Sequence, residues 1–270
     1  MMFMMDLDLF CPEDPEEQPL DRPVTDGGLC GILRTIACVG DSLSSGEFIS
    51  RMDGKIGWHD LYDYSWGQYL ARMAGSTVYN FSRGGMSAKE YCTSFAQENG
   101  FWDADKAAQA YIIALGVNDL LNLKHPLGSL DDICDEDPSK NADTFCGWYA
   151  AIIQRYTRIQ PKAKFFLMTM PRSEEDPEKI ALAEAHAELL RALANHFPYT
   201  YVLDFHRYAP PYDAHFKERF YLDDHLNAAG YLLTARMVAS YIDYIIRHRP
   251  EDFRQIGFVG TEFYNENFPF

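Results

Sequence analysis

The hydrophobic and polar positions of the chain form short apolar runs, each followed by polar or glycine-bearing residues. A short apolar run that ends in turn-forming residues is typical of a buried β-strand. Such runs lie at Thr35–Val39, Thr77–Phe81, Ala110–Leu115, Lys164–Met170 and Tyr199–Phe205. The pattern therefore predicts five strands.

Between these runs, apolar residues recur at the spacing of amphipathic helices. The predicted helices are Ser65–Ala74, Ala142–Ile159, Pro177–His196 and a last one from Ala228 to about Arg247. Strands that alternate with helices imply βαβ crossovers and a mostly parallel sheet covered on both faces. We therefore predict an α/β fold, a three-layer α/β/α sandwich with a mostly parallel five-stranded sheet.

The domain organisation follows from local composition. Residues 1–30 are rich in Pro, Asp and Glu, bury little apolar area to offset the entropy of ordering, and are predicted to form an arm on the surface. Residues 31–250 form one predicted domain, and residues 251–270 a C-terminal tail. The acidic segment Leu121–Lys140 is expected to be a solvated loop, although a contribution to a lid stays open.

The charge balance limits the partners. The 270 residues carry 40 acidic and 24 basic side chains, a formal net charge of −16. This negative charge repels phosphate backbones and anionic lipid, and the basic residues form no stripe, so we expect no nucleic-acid partner.

No window of the sequence has the roughly 20 apolar residues of a membrane span. Residues Met1–Phe10 lack the basic region of a secretory signal, so a cytoplasmic location is expected. The oligomeric state is left open.

The cysteine and histidine spacings give no sign of a metal site. The six cysteines include no CxxC pair and are interpreted as free thiols, with Cys38 a small buried hydrophobe. The eight histidines include no HExxH, and the loops lack a GxGxxG or GxxxxGK phosphate cradle. We therefore expect neither a metal nor a cofactor, and a flavin- or nucleotide-binding protein is disfavoured.

Four polar segments follow the predicted strands or precede the last helix. They are Gly40–Gly46, Asn80–Met86, Gly116–Asp119 and Asp223–Gly230. In an open parallel sheet, ligands bind beyond the carboxyl ends of the strands. We therefore expect these four segments to meet at one edge of the sheet.

Together these segments resemble the GDSL or SGNH hydrolases, a family of esterases and lipases named for a Ser, a Gly, an Asn and a His in four sequence blocks. Gly40-Asp41-Ser42-Leu43 matches the first block, Gly85 the second, and Gly116-x-Asn118-Asp119 the third. The resemblance extends from about Thr35 to Arg247 and implies the flavodoxin-like SGNH fold. The order and spacing of the blocks carry it, because each tetrapeptide alone is weak evidence.

The resemblance implies roles that the chemistry also requires. Ser42 would be the nucleophile and His225 the base, because a serine hydroxyl is a poor nucleophile until its proton is removed. The oxyanion hole would consist of the Ser42 amide, the Gly85 N–H and the Asn118 side-chain amide. Taken singly, each residue has a structural alternative: a helix cap for Ser42, a plain turn around Gly85, an Asx turn at Asn118 and a surface position for His225.

The last block departs from the family pattern. The family usually has Asp three residues before His, whereas this chain has Leu222 at that position. Asp223 or Asp224 is a candidate for orienting the imidazole, or the enzyme works with a Ser–His dyad. We favour Asp223 as the third catalytic residue.

The leading hypothesis is a cofactor-free serine esterase that cleaves a small-molecule carboxylic ester through an acyl-enzyme. An acetylated carbohydrate or a short-chain acyl ester is the suggested substrate. The alternative is a ligand-binding protein that kept the SGNH fold but lost the chemistry. Aromatic residues near the expected site would form either a sugar platform or part of the core. They are Trp58, Tyr62, Tyr64, Trp66, Tyr221 and Tyr231.

Overall fold

The structure is a computed structural model that describes residues 14–172 and 176–268. Its strands are β1 (Thr35–Gly40), β2 (Glu47–Met52), β3 (Lys55–Asp60), β4 (Thr77–Ser82), β5 (Ala110–Ala114), β6 (Lys164–Met168), β7 (Thr200–Leu203), β8 (Tyr221–Leu222) and β9 (His225–Leu226). Its α-helices are α1 (Ser42–Ser45), α2 (Trp66–Ala74), α3 (Ala88–Glu90), α4 (Ala96–Glu98), α5 (Phe145–Ile159), α6 (Pro177–His196), α7 (Phe205–Tyr208), α8 (Ala214–Phe220), α9 (Ala228–His248) and α10 (Pro250–Phe253).

The central sheet has five parallel strands in the order β4-β1-β5-β6-β7. This confirms the predicted α/β fold, and each of the five predicted strands lies within two residues of its observed bounds. In the sheet, β4 is the neighbour of β1 on one side and β5 is its neighbour on the other side, although the chain forms β1, β4 and β5 in that order. The strand order therefore reverses at β1, which places the expected ligand crevice at the carboxyl end of that strand.

Both faces of the sheet are buried, as a parallel sheet requires. Ile36 and Cys38 of β1 belong to one apolar cluster, which includes residues of α2 and α9. Ala37 and Val39 belong to a second cluster with residues of α5 and α6. The alternation along β1 thus builds a three-layer sandwich, and Cys38 is the small buried residue that the sequence predicts.

The four predicted helices form with clear capping signals. Asp176 caps α6 by accepting from the Glu178 N–H, and Pro177 occupies its first turn, where no backbone donor is needed. The Asn227 side chain accepts from the Gly230 N–H, so α9 begins at Ala228 as predicted. The helix predicted from Ala142 begins instead at Phe145, because Thr144 caps it.

A β-hairpin, β2–β3, is absent from the pattern of apolar runs. It has few buried positions, because it forms a separate antiparallel ribbon outside the main sheet. Asp53 and Gly54 make its turn, with φ angles of 53° and 74°. An Asp-Gly pair with both φ angles positive is the usual signal for a two-residue hairpin turn. That dipeptide, rather than hydrophobic periodicity, is the sequence signal for this element.

The described part of the N-terminal arm is fastened to α9. The Val24 N–H donates to the Ser240 hydroxyl, and the Leu29 N–H donates to the Asp243 carboxylate. Residues 1–13 of the predicted arm lie outside the described residues. In the C-terminal segment, Phe253 and Ile256 are buried in the cluster that includes α9. Within residues 14–172 and 176–268, no helix is long and apolar enough to cross a membrane.

Candidate active site

Ser42 lies at the start of α1, directly after β1. The cap of this short helix is Asp41, whose carboxylate accepts from the Leu43 N–H at 3.2 Å. Ser42 is therefore not the helix cap, which removes its structural alternative. Burial raises the pKa of Asp41 to about 7. Gly40 has no room for a side chain, because a Cβ there would lie 2.2 Å from the Ser44 hydroxyl.

His225 reaches Ser42 from the other end of the chain. Its Nε2 lies 2.9 Å from the Ser42 Oγ. The imidazole is partly buried in the ribbon β8–β9, and burial lowers its pKa below the usual value of 6.5. The ring is therefore neutral over a wider pH range than an exposed histidine, which is the state that a general base needs.

Asn118 and Asp119 lie in a π-helical turn, Val117–Asn122, that follows β5. The Asn118 Nδ2 donates to the Met86 carbonyl at 3.2 Å, which uses one of its two protons. Both oxygens of the buried Asp119 carboxylate accept from the Ala88 N–H at 3.0 Å. These contacts tie the segment after β5 to the segment after β4.

Gly84 and Gly85 form the centre of a turn that is closed by the Met86 N–H donating to the Arg83 carbonyl. Gly85 has a φ of 72°, and no atom lies within 4 Å of the position that a Cβ would occupy. A Cβ on Gly84 would instead lie 2.4 Å from a carboxylate oxygen of Glu47. The two glycines are thus needed for different reasons, Gly85 for its backbone conformation and Gly84 for a close approach.

Two adjoining cavities lie at this edge of the sheet. The larger is an open cleft of about 370 Å³ lined by Ser42, Asn118 and His225. Gly85 is not among the residues that line it. The smaller cavity, which we call the inner chamber, has a volume of about 70 Å³ and a mostly apolar lining. Its larger apolar side chains are Leu43, Trp66, Leu115, Val117, Met168, Met170, Phe205, Tyr212 and Leu226.

The sequence pattern of the GDSL-like Lipase/Acylhydrolase family matches residues 38–233. The chain belongs to this family. It is therefore a serine hydrolase that acts on carboxylic esters. No curated protein sequence matches the chain.

Solved structures of carbohydrate esterases share the fold of this family member. A family two carbohydrate esterase from Clostridium thermocellum, in complex with cellohexaose, is 16% identical with a TM-score of 0.55, over 81% of this chain and 65% of the other. A carbohydrate esterase family 2 enzyme of Myceliophthora fergusii with a carbohydrate-binding domain is 17% identical with a TM-score of 0.56, over 79% and 66%. The chain thus spans just under two thirds of the length of these two proteins.

Among the interactions of the described residues, no hydrogen bond or ion pair joins Asp223 to His225. Asp223 lies in the turn between β8 and β9 with a φ of 62°, and its carboxylate pairs with Arg51 of β2. Nδ1 of His225 is buried and has no hydrogen-bond partner within residues 14–172 and 176–268. The expected bond between Asp223 and the distal nitrogen is therefore not formed here, and the catalytic role of Asp223 stays a prediction.

Glu47 is a site residue that the sequence did not indicate. Its Oε1 lies 3.3 Å from Nε2 of His225, the nitrogen that also faces Ser42. Burial, with Asp60 nearby, raises the pKa of Glu47. No family block includes this position, and it begins the β2–β3 hairpin that apolar runs did not predict. The Asp53-Gly54 turn signal would have identified the hairpin, but not the direction of the Glu47 side chain.

The aromatic residues divide between core and surface. Trp66 and Tyr231 are buried in the core, whereas Trp58 is 59% exposed on the hairpin. Tyr221 lines the open cleft. In the acidic segment Leu121–Lys140, only Leu121 and Asn122 line that cleft. Among the residues that the structure describes, no group of three or more His, Cys, Asp or Glu is placed to hold a metal ion.

Proposed function

We propose that the protein hydrolyses short-chain acyl esters through an acyl-enzyme formed on Ser42. The observation that carries this proposal is the 2.9 Å contact between the Ser42 hydroxyl and Nε2 of His225, both of which line the open cleft. A nucleophile and a base within hydrogen-bond reach are the minimum that acyl transfer from an ester requires.

In the proposed mechanism, His225 takes the proton of Ser42 while the hydroxyl oxygen attacks the ester carbonyl. The electron pair of the carbonyl moves to its oxygen, which the Ser42 and Gly85 amides and the second Asn118 Nδ2 proton stabilise. The oxyanion then collapses, the bond between the acyl carbon and the alcohol oxygen breaks, and the imidazolium gives its proton to that oxygen, so that the alcohol leaves. Water attacks the acyl-enzyme by the same steps and releases the acid. His225 starts neutral, because burial lowers its pKa.

The small size of the inner chamber supports the proposal that the acyl group of the substrate is short. Its volume of about 70 Å³ is roughly half of the ~150 Å³ that holds a benzene ring in an apolar protein cavity. By that comparison it accommodates an acyl group of about two to four carbons. It adjoins the open cleft, because Leu43, Val117 and Met170 line both.

The lining of the open cleft supports the proposal that the alcohol part of the substrate is larger and polar. Besides the catalytic pair, its lining carries Lys179, Lys217 and Asp224. The exposed indole of Trp58 stands on the hairpin strand that pairs with β2, and an exposed aromatic face suits a sugar ring. The Clostridium thermocellum relative was solved in complex with cellohexaose. Acetylated carbohydrates are therefore the substrates that we would test first.

A fluorophosphonate probe tests the nucleophile. The wild-type protein should be labelled covalently at Ser42, and Ser42→Ala should lose both labelling and hydrolysis of p-nitrophenyl acetate. Its thermal stability should change little, because Asp41 rather than Ser42 caps α1. Full activity in Ser42→Ala would contradict the serine mechanism, and binding of esters without labelling of wild type would favour a ligand-binding protein.

A panel of acyl lengths tests the substrate class. With one common alcohol, acetyl to butyryl esters should be cleaved faster than octanoyl esters. Met168→Ala should enlarge the chamber and move the optimum to longer chains, since Met168 lines the chamber but not the open cleft. A wild-type optimum at eight or more carbons would contradict the proposed acyl site.

A further inference from the structure

The β2–β3 hairpin places two charged side chains against the segment that carries His225. Arg51 pairs with Asp223, and Glu47 lies 3.3 Å from Nε2 of His225. Residues 47 and 51 project from the same face of β2, because side chains alternate along a strand. One face of one strand therefore both engages the expected triad acid and supplies another carboxylate.

The backbone of Glu47 is fixed by contacts with the core and across the hairpin. The Tyr231 hydroxyl, in the core, donates to the Glu47 carbonyl at 2.7 Å. Across the hairpin, Glu47 pairs with Asp60, whose own carboxylate accepts from the Ser45 hydroxyl at 2.6 Å. The absence of a side chain at Gly84 leaves the space that the Glu47 carboxylate occupies.

The imidazole lacks the usual support at its other nitrogen. Nδ1 is buried without a partner among the described residues. In a full triad, a carboxylate on Nδ1 stabilises the imidazolium that forms when serine attacks. Here the carboxylate in contact with the ring lies at Nε2, the nitrogen that receives the proton of Ser42.

We propose that Glu47 is a positioning residue, which stabilises the imidazolium of His225 from the Nε2 side. When the O–H bond of Ser42 breaks and an N–H bond forms at Nε2, that N–H also faces the Glu47 carboxylate. The negative charge of Glu47 then offsets the new positive charge until the leaving alcohol takes the proton. This role rests on the proposed ester hydrolysis.

Other charged groups surround the pair, and the test must separate them from Glu47. Asp223 and Asp224 of the β8–β9 turn act on His225, and Asp223 is also paired with Arg51. Asp60 of β3 acts on Glu47, and Glu47 in turn helps to raise the pKa of Asp41 ahead of α1. The role requires Glu47 to be ionised, and its raised pKa delays that ionisation to a higher pH than for an exposed glutamate.

The first test compares Glu47→Gln with Asp53→Asn. Asp53→Asn removes one charge from the turn of the same hairpin, and asparagine tolerates its positive φ. Glu47→Gln should lower kcat for a short-chain ester by about tenfold to a hundredfold with little change in KM. This is less than the ~10⁴ lost when a full triad loses its carboxylate. The acidic limb of kcat/KM should move about one unit to lower pH, because an anion beside His225 no longer favours the charged ring.

Asp53→Asn should match wild type in both measurements. The proposal would be overturned if the acidic limb of kcat/KM and the value of kcat stayed at wild-type values in Glu47→Gln. Equal effects in the two variants would also overturn it. Gly84→Ala offers a second route, because its Cβ would meet the Glu47 carboxylate at 2.4 Å and displace it without removing a charge. It should move the limb in the same direction as Glu47→Gln.

A readout without turnover separates this inference from the proposed function. NMR titration of the His225 ring, assigned by loss of its signal in His225→Ala, should give a lower imidazole pKa in Glu47→Gln than in wild type. An unchanged pKa overturns the inference even in an active enzyme. If wild type neither hydrolyses esters nor reacts with the fluorophosphonate probe, the proposed function fails, and the titration alone decides whether Glu47 sets the charge on His225.

Discussion

At the scale of single residues, Asn118 is the group whose proposed role depends most on when charge appears. One Nδ2 proton is already used by the Met86 carbonyl, and that contact fixes the direction of the amide. In the proposed role, the other proton stabilises the oxyanion, which forms only after Ser42 has attacked. Asn118→Ala should therefore lower kcat by about a hundredfold to a thousandfold with little change in KM. An effect confined to KM, measured with a short-chain ester, would show that Asn118 only binds substrate.

The residues of the site differ in how far the sequence reveals them. The contact between Ser42 and His225, which are 183 positions apart, follows from two sequence blocks and the rule that strand ends converge. Glu47 could not be predicted in the same way. Its place depends on the path of a hairpin that packs beside the sheet, and on a neighbouring glycine that leaves room for it.

At the scale of elements, the β8–β9 ribbon explains why Asp223 misses the imidazole. Leu222 and His225 are direct cross-strand partners, so Asp223 and Asp224 form the turn beyond the pair. Directly opposite residues project from the same face with their Cβ atoms close together. Position 222, where the family usually has Asp, is thus the position beside the ring, whereas Asp223 turns towards Arg51.

This geometry predicts the effect of moving the acid by one position. Leu222→Asp should place a carboxylate beside the ring, where Nδ1 lacks a partner, and Leu222 is 50% exposed, so little core packing is lost. We expect a several-fold higher kcat and a higher imidazole pKa by NMR titration, because an adjacent anion favours the charged ring. Asp223→Asn alone should lower kcat less than about tenfold. A loss near 10⁴ in that variant would instead show that Asp223 acts as the triad acid.

Hairpins and sheet strands also differ in how well sequence predicts them. The five sheet strands are buried on both faces and therefore appear as apolar runs, which is why their bounds could be predicted closely. The β2–β3 hairpin buries few of its residues and leaves Met52 and Trp58 exposed, so hydrophobic periodicity carries no signal for it. Only its turn chemistry at Asp53 and Gly54 does.

At the scale of the whole molecule, a buried ion network joins the N-terminal segment to the last long helix. The acidic composition gives no sign of this network. The Arg247 guanidinium of α9 donates to both oxygens of Glu17 at 2.6 and 2.7 Å, and to Asp243 at 2.8 Å. Glu17 and Arg247 are both nearly inaccessible to solvent. Composition predicted only a surface arm, because a run of acids and prolines does not show that one glutamate is buried.

Removal of Glu17 from this network should lower the stability of the fold. Glu17→Ala should lower the free energy of unfolding at pH 7 by about 3 kcal/mol, because it leaves a buried guanidinium with one partner fewer. The neighbouring exposed Glu16 is the matched control, and Glu16→Ala should change the value by less than about 0.5 kcal/mol. Urea denaturation of wild type and both variants measures these differences.

The difference in the free energy of unfolding between wild type and Glu17→Ala should change with pH in one direction. The hydrogen bonds from Arg247 hold the pKa of Glu17 below its ordinary value of 4.5. A group whose pKa is depressed in the folded state contributes stability above its unfolded pKa and loses it as the pH falls through the folded value. The gap between wild type and Glu17→Ala should therefore be constant above pH 4.5 and shrink below it. A gap that is constant to strongly acid pH would show that Glu17 stabilises the fold by packing rather than by its charge.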